Sequence, residues 1–236
     1  MICDYVAVDV ETTGLNPVSD KLIEIGAIKV VGFEVVQTFT TLINPGMDIP
    51  WRITQITGIT DEMVLEAPAV GEVMGELADF CGDMVLLGHN IRFDYSFLKQ
   101  NFLNLSMDFE ASGLDTLKIA RKLLPDFEKR NLDYLCKVFD IKDDQHHRAC
   151  NDANAASLLY RCLLERYGGE NPQIFEVEKL SYKGAKICPI TPKQKAFLGA
   201  LINHHNLLEE YEVDKLSKNE ASRIIDKIIL NYGRMK

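Results

Sequence analysis

Along this chain of 236 residues the apolar positions fall into runs whose period changes. Tyr5 to Val10 is apolar except at Asp9, and Leu22 to Val31 and Glu34 to Ile43 are rich in β-branched residues on either side of Gly32. These three runs predict strands, the last two joined by a short turn. Val70 to Cys81 has helical spacing, Met84 to Leu87 reads as a short strand, and Phe93, Phe97 and Leu98 predict a helix from Asn90 onward. Leu114 ends another short strand. Helices are expected near Thr116 to Leu124, Leu132 to Phe139 and Cys150 to Tyr167, interrupted by Pro125 and the acidic loop Ile141 to Gln145. Strands mixed with helices in this order predict an α/β class, a mixed sheet flanked by helices.

After Tyr167 the pattern changes. Gly168, Gly169, Asn171 and Pro172 end the long helix, and Thr191, Pro192 and Gln194 form a helix-start signature, repeated by Ser217 and Glu220. Phe197, Leu198, Leu201 and Ile202 on one helix and Ile224, Ile225, Ile228 and Ile229 on the next predict a small helical hairpin. The expected organisation is an α/β domain over 1–167, a linker over 168–190 and a small helical module over 191–236. Charge divides similarly, with a net −14 over residues 1–178 and +5 over 179–236. A basic appendage on an acidic domain suits the phosphate backbone of nucleic acid, and equally a solvated helical face or a protein-docking module.

A chain of this length with 47% hydrophobic residues can bury a full core. No apolar stretch reaches membrane-spanning length, and the start MICDYVAVDVE carries acids where a signal peptide has a basic, then apolar, segment. A cytoplasmic protein with no membrane partner is expected. Cys3, Cys81, Cys136, Cys150, Cys162 and Cys188 show no paired spacing and mostly fall in apolar surroundings, which points to reduced core thiols.

Candidate chemistry begins with Asp9 and Glu11. Two apart on a strand, they point to one face while Val6, Val8 and Val10 point to the other; Tyr5 and Ala7 make the acid face apolar too, so the strand is expected to be central. Two like charges there call for a counter-ion, and hard carboxylate oxygens suit magnesium or manganese. The same pair also fits a strand running out into solvent. Asp94 is expected at the start of a helix, where an acid also simply complements the helix dipole. Five residues along a helix turn roughly 140° past a full circle, so His147 and Asp152 cannot share a face; His147 belongs on the loop before the helix and Asp152 in its early turns. Singly, each has an ordinary structural explanation. Asp115 with Thr116 reads as a helix cap, and His204 and His205 as exposed helix residues.

The strings DVETTGL, HNIRFDYSFL and HRACNDA, in this order, resemble the three exonuclease motifs of the DnaQ-like family, in the subgroup named DEDDh for its four acids and histidine. LIEIGAIKV, GITDEMV and LDTLKIARKLLP add to the resemblance, which covers about residues 3–166. It implies a ribonuclease H-like fold and a 3′-to-5′ exonuclease. By resemblance Asp9, Glu11, Asp94 and Asp152 form the metal site for two divalent cations, Mg2+ or Mn2+, and His147 is the base. His146 is its neighbouring rival; the following Arg148 and Ala149 favour His147. Cys150 and Asn151 depart from the commoner Leu and Asp of the third motif, at positions not expected to bind metal. Thr12, Thr13 and Leu15 are implied to meet the terminal nucleotide, Asn90 to support the site and Phe93 to lie near the bases.

The chemistry explains the residue types. Two metals about 3.5–4 Å apart can activate a water and stabilise the departing oxygen of a phosphodiester, and a neutral imidazole with a pKa near about 6.5 can take the water's proton. The implied substrates are single-stranded or frayed 3′ ends of DNA, in proofreading or repair, with a DNA polymerase as a partner. RNA trimming, and a catalytically silent binding module on the same fold, are the alternatives; the latter is expected to have lost one of the five residues, and all five are present.

Overall fold

The protein is described by a computed structural model over residues 2–141, 148–185, 189–207 and 213–234. It divides into two compact units, Met1–Gly184 and Ala185–Lys236. The first contains strands β1 (Tyr5–Thr12), β2 (Leu22–Val31), β3 (Glu34–Leu42), β4 (Leu86–Gly88), β5 (Ser112–Asp115) and β6 (Glu178–Lys179) in one sheet of order β3-β2-β1-β4-β5-β6. The hairpins β1–β2 and β2–β3 are antiparallel, β1, β4 and β5 are mutually parallel, and β6 is antiparallel to β5. Gly32 and Phe33, both at positive φ, make the two-residue turn between β2 and β3, a backbone twist that suits a hairpin.

Helices α1 (Trp51–Thr57), α2 (Asp61–Val64), α3 (Val70–Cys81), α4 (Ile91–Asn104), α5 (Thr116–Leu123), α6 (Leu132–Val138) and α7 (Ala149–Tyr167) surround the sheet. Both faces of β1 are buried. Val6, Val8 and Val10 pack with Met74 and Leu77 of α3 and Phe97 and Leu98 of α4. Tyr5 and Ala7 pack with α5, α6 and α7, among them Ala153, Ala156 and Tyr160. Each large side chain so enclosed contributes about 1.5–3 kcal/mol, and the two cores hold β1 rigidly from both sides. The fold is the mixed sheet with flanking helices expected from the pattern.

Four differences from the sequence pattern have physical reasons. Strand β1 runs on to Thr12, so Asp9 and Glu11 lie within the ladder rather than at its exit. Strand β4 is displaced to Leu86–Gly88, because it pairs with Val6 and Ala7 on one side and with Gly113 to Asp115 on the other. Helices α1 and α2 are only 7 and 4 residues long and have no side-chain cap; they exist because Ile49, Ile59 and Val64 pack on Ile23 of β2. Finally, part of the stretch expected as linker belongs to the first unit. A 3-10 turn at Pro172–Phe175 buries Phe175, and Leu180 packs over Gly113, where a Cβ would lie 2.8 Å from the leucine side chain. A two-residue strand leaves no periodicity to read.

The second unit holds α8 (Pro192–His205) and α9 (Lys218–Tyr232), with a 3-10 turn at Val213–Lys215. Thr191 with Gln194 and Ser217 with Glu220 form reciprocal capping boxes. Leu198, Leu201, Ile202, Leu207, Ala221 and Ile228 make its small core. The His204 and His205 rings meet edge to face at 4.7 Å, and His205 also lies 5.6 Å from the Tyr232 ring. Among the described residues no helix is long and apolar enough to cross a membrane. None of Cys3, Cys81, Cys136, Cys150 and Cys162 is in a disulfide; Cys188 lies outside the described residues.

Candidate active site

Because β1, β4 and β5 are parallel, their C-terminal ends at Thr12, Gly88 and Asp115 share one sheet edge, where α/β sheets gather functional groups. Asp9 and Glu11 stand opposite Gly26 and Glu24 across the β1–β2 ladder. At Gly26 the start of α7 comes so close that a Cβ would lie 2.0 Å from the Cys150 backbone nitrogen. That approach delivers Asp152, in the first turn of α7, to the β1 pair. One carboxylate oxygen from each of Asp9, Glu11 and Asp152 lies within 4.8 Å of the other two, and all three residues are half-buried.

Asp94 arrives from the opposite layer, in the first turn of α4, and is buried. Its Oδ1 accepts the Val10 N–H at 3.1 Å, which fixes it beside the end of β1. It lies outside the group of three but near enough to act electrostatically on Asp9. His147 and its rival His146 lie outside the described residues. Arg148, which follows them, is described and occupies the N-cap position of α7.

The acids strongly perturb one another. Burial pushes the Asp9 carboxyl well above the usual range, and Asp94, Asp152, Glu11 and Glu24 push it further. Burial, then Asp152 and Glu24, push Glu11 up to about 8, against the pull of the Arg148 guanidinium. Burial raises Asp94 as well, against the hydrogen bond from Val10. Carboxylates that hold their protons this firmly lack positive charge. An all-oxygen, acidic donor set of this kind fits a hard divalent cation.

The expected substrate-contacting residues divide into two kinds. Thr12 and Thr13 are buried, and their hydroxyls are committed to the loop itself: Thr12 Oγ1 donates to the Gly14 carbonyl at 2.6 Å, and Thr13 Oγ1 accepts the Lys21 N–H at 2.8 Å. The Asp20 carboxylate accepts the Asn16 N–H at 2.8 Å and closes the same loop. Leu15, by contrast, is 84% exposed on it. Asn90 has the left-handed conformation, φ 75°, at the N-cap of α4, and its N–H donates to Asp115 Oδ1 at 3.0 Å. Phe93 is half-buried with its ring centroid 5.1 Å from that of Phe97. Asp115 caps α5 by accepting from Leu117 and Lys118, as its DTL string suggests.

Three residues near the site carry roles not read from the sequence. The His89 ring contacts Thr116 Oγ1 at 2.9 Å and the Arg130 carbonyl at 2.8 Å, tying the end of β4 to α5 and to the loop after it; burial lowers its pKa, against the hydrogen bond to Arg130. Glu24 is buried and accepts hydrogen bonds from Arg148 and from the Ala149 N–H, and Gly26 makes room for α7. An acid and a glycine inside the apolar run LIEIGAIKV are the signals that mark the last two.

Residues 6–160 match the RNase_T family model, described as Exonuclease. Among curated proteins, the DNA polymerase III PolC-type of Clostridium perfringens is 37% identical over 180 residues, covering 76% of this chain and 12% of that protein. That of Bacillus subtilis is 40% identical over 163 residues, covering 68% and 11%. That of Pediococcus pentosaceus is 31% identical over 239 residues, covering 96% and 17%. The chain thus spans roughly an eighth of the length of the first two relatives. Among solved structures, Exonuclease X in complex with 5′ overhanging duplex DNA superposes with a TM-score of 0.57 and 25% identity, over 72% of this chain and 97% of that one. E. coli Exonuclease I in complex with a dT13 oligonucleotide shares the fold, with a TM-score of 0.63 and 19% identity, over 73% of this chain and 42% of that one.

Proposed function

The chain belongs to the RNase_T exonuclease family, the DnaQ-like exonucleases its motifs resemble, and on that premise we propose that it is a metal-dependent 3′-to-5′ exonuclease of the DEDDh type. The observation that carries this reading is the convergence of Asp9, Glu11 and Asp152 within 4.8 Å, with Asp94 against the end of β1. Asp9, Glu11 and Asp152 would hold one divalent ion, and Asp9 with Asp94 a second. Magnesium or manganese bound there would supply Lewis-acid activation of water and neutralise the charge that develops on the leaving oxygen. His147 takes the proton of the attacking water; the water oxygen bonds to phosphorus, the phosphorus–O3′ bond breaks, O3′ takes a proton from solvent to leave a new 3′-hydroxyl, and a nucleoside 5′-monophosphate departs. Only the neutral ring can accept that proton, so turnover falls as pH drops through the pKa of His147.

The substrate in this reading is the 3′ end of single-stranded or frayed DNA. The DNA polymerase III relatives and the complex of Exonuclease X with overhanging duplex DNA support that choice, and the former support a polymerase as partner. Leu15 and the partly exposed face of Phe93 offer apolar surface to the terminal bases, contacts that hold a strand without reading its sequence. The Thr12 and Thr13 backbone shapes the loop that receives the terminal nucleotide, and Asn90 supports the start of α4.

The test is digestion of end-labelled single-stranded DNA, mismatched duplex DNA and RNA with magnesium or manganese, with Asp9→Ala and His147→Ala alongside. Mononucleotides released from the 3′ end of DNA, and loss of turnover by about 10³-fold or more in Asp9→Ala, are expected. RNA degraded in preference to DNA would reassign the substrate. Binding without cleavage would favour the silent module, and full activity in His147→Ala together with none in His146→Ala would move the base to His146.

A further inference from the structure

We propose that Glu24 and Arg148 form a positioning pair that sets the first turn of α7, and with it Asp152, against Asp9 and Glu11. The inference rests on the exonuclease reading above and assigns a role to two residues outside the four acids and the histidine. It starts from the register of the β1–β2 ladder. The β2 residues opposite the two acids, Gly26 opposite Asp9 and Glu24 opposite Glu11, both meet the start of α7. Strand β2 thereby holds the β1 acids on one side and the helix carrying the third acid on the other.

Helix α7 starts without a cap of its own, since Arg148 at the N-cap position provides no side-chain acceptor. Glu24 supplies the acceptor from the strand: its Oε2 takes the Ala149 N–H at 3.0 Å. Its Oε1 takes Arg148 Nε at 2.9 Å and Nη2 at 2.7 Å. Together the three bonds fix the height and rotation of the first helical turn. Asp152 follows Ala149 by three residues, within one rigid turn, so that placement is passed directly to its carboxylate.

Charge explains why the pair is ionic. Glu24 is 1% exposed and lies in an edge already crowded with acids. Alone it would add a fifth negative charge beside Asp9 and Glu11; paired with Arg148 it adds direction without net charge. The Glu24 side chain is buried but that of Arg148 is 42% exposed, so the ion pair gives little net stability and its value lies in specifying geometry. Groups one step behind metal ligands commonly change metal affinity or activity by about 10–100-fold when altered.

The deciding experiment measures Mn2+ binding by calorimetry in the wild-type full chain, in R148K and in E24Q, alongside thermal unfolding and kcat and KM on a single-stranded oligonucleotide. Lysine keeps the positive charge but cannot place two donors on one carboxylate oxygen; glutamine keeps the shape but turns an amide toward the Ala149 N–H or the guanidinium. Both variants are expected to fold and to bind Mn2+ about 10-fold more weakly or worse. Their kcat should fall at limiting Mn2+ and recover as Mn2+ is raised, with KM for the oligonucleotide unchanged within about 2-fold, a pattern that a purely structural role would not produce. Should E24Q not fold, R148K decides alone. Folded variants with wild-type Mn2+ affinity overturn the positioning role, whatever happens to their stability. Wild-type protein that neither binds Mn2+ nor releases nucleotides overturns the exonuclease reading and the pair's role with it, whereas active wild type matched by both variants overturns the pair alone.

Discussion

The helical unit Ala185–Lys236 is specified by neighbours in sequence, whereas the sheet unit Met1–Gly184 assembles its candidate site from residues as much as 143 positions apart, Asp9 and Asp152. In the former, capping boxes three residues wide start both helices, and its core is apolar. In the latter, carboxylates from β1, α4 and α7 are brought together against their mutual repulsion by the two cores, by the Val10 N–H on Asp94 and by the contacts of Glu24 with the start of α7. The difference teaches where stability ends and function begins: the acids whose burial and mutual repulsion oppose folding of the sheet unit are the ones the proposed chemistry would use.

Glycine substitution should break that comparison most sharply. Gly26→Ala places a Cβ 2.0 Å from the backbone of α7, so it is expected to cost about 3 kcal/mol or more and to abolish nuclease activity by displacing Asp152. Gly199→Ala in α8 meets nothing within 4 Å and is expected to stabilise its unit by about 0.5–1 kcal/mol without touching turnover. Denaturant titration of the two variants, each with an activity assay, checks the contrast. Equal effects of the two would mean that α7 can shift without consequence.

Removing metal should sharpen it next. Glu11 is raised to about 8, so between its unfolded value, about 4.3, and about 8 the metal-free fold binds more protons than the unfolded chain. Stability is therefore highest below the unfolded pKa and is lost as pH rises toward 8. In EDTA, Tm is expected to fall by about 5 °C between pH 5 and pH 8. Magnesium or manganese should restore it more at pH 8, where the carboxylates are free to bind, than at pH 5. A Tm that is independent of metal at both values would remove the cation site.

The smaller effects lie in the helical unit. Thr191→Ala and Ser217→Ala each delete the side-chain acceptor of a capping box and should cost about 1 kcal/mol, read by hydrogen exchange at the starts of α8 and α9, with kcat unchanged. Deleting residues 185–236, which carry 9 basic and 6 acidic residues, should weaken oligonucleotide binding modestly at low salt and flatten its salt dependence. Affinity that is unchanged at low salt would leave this unit without a role in holding nucleic acid. The cut belongs after Gly184, because Leu180 is part of the sheet unit's core.

Most elements could be read from periodicity because each has a long apolar stripe: β1, β2, α3, α4 and α7 all bury one or both faces in the two cores, whereas β3 is largely exposed, is rich in β-branched residues and is held by its ladder with β2. The exceptions are short. Helices α1 and α2 and strand β6 have no period of their own, and they form only because Ile23 and Gly113 present surfaces that fit them. The site shows the same division. Asp9 and Glu11 were legible as a pair because strand geometry puts residues two apart on one face. Asp94 and Asp152, taken alone, look like first-turn helix acids, which they also are.

Sequence alone determined the long strands and helices, that β1 is buried on both faces, and that Asp9 and Glu11 point the same way, because these follow from local periodicity and the fixed geometry of the backbone. Only the tertiary structure decided that Asp152 meets that pair, that Asp94 is clasped by Val10, and that Glu24 caps α7 through space. Those contacts join segments more than eighty residues apart, and their geometry depends on how closely two layers pack, a distance set by the absent side chain at Gly26 and written in no local pattern.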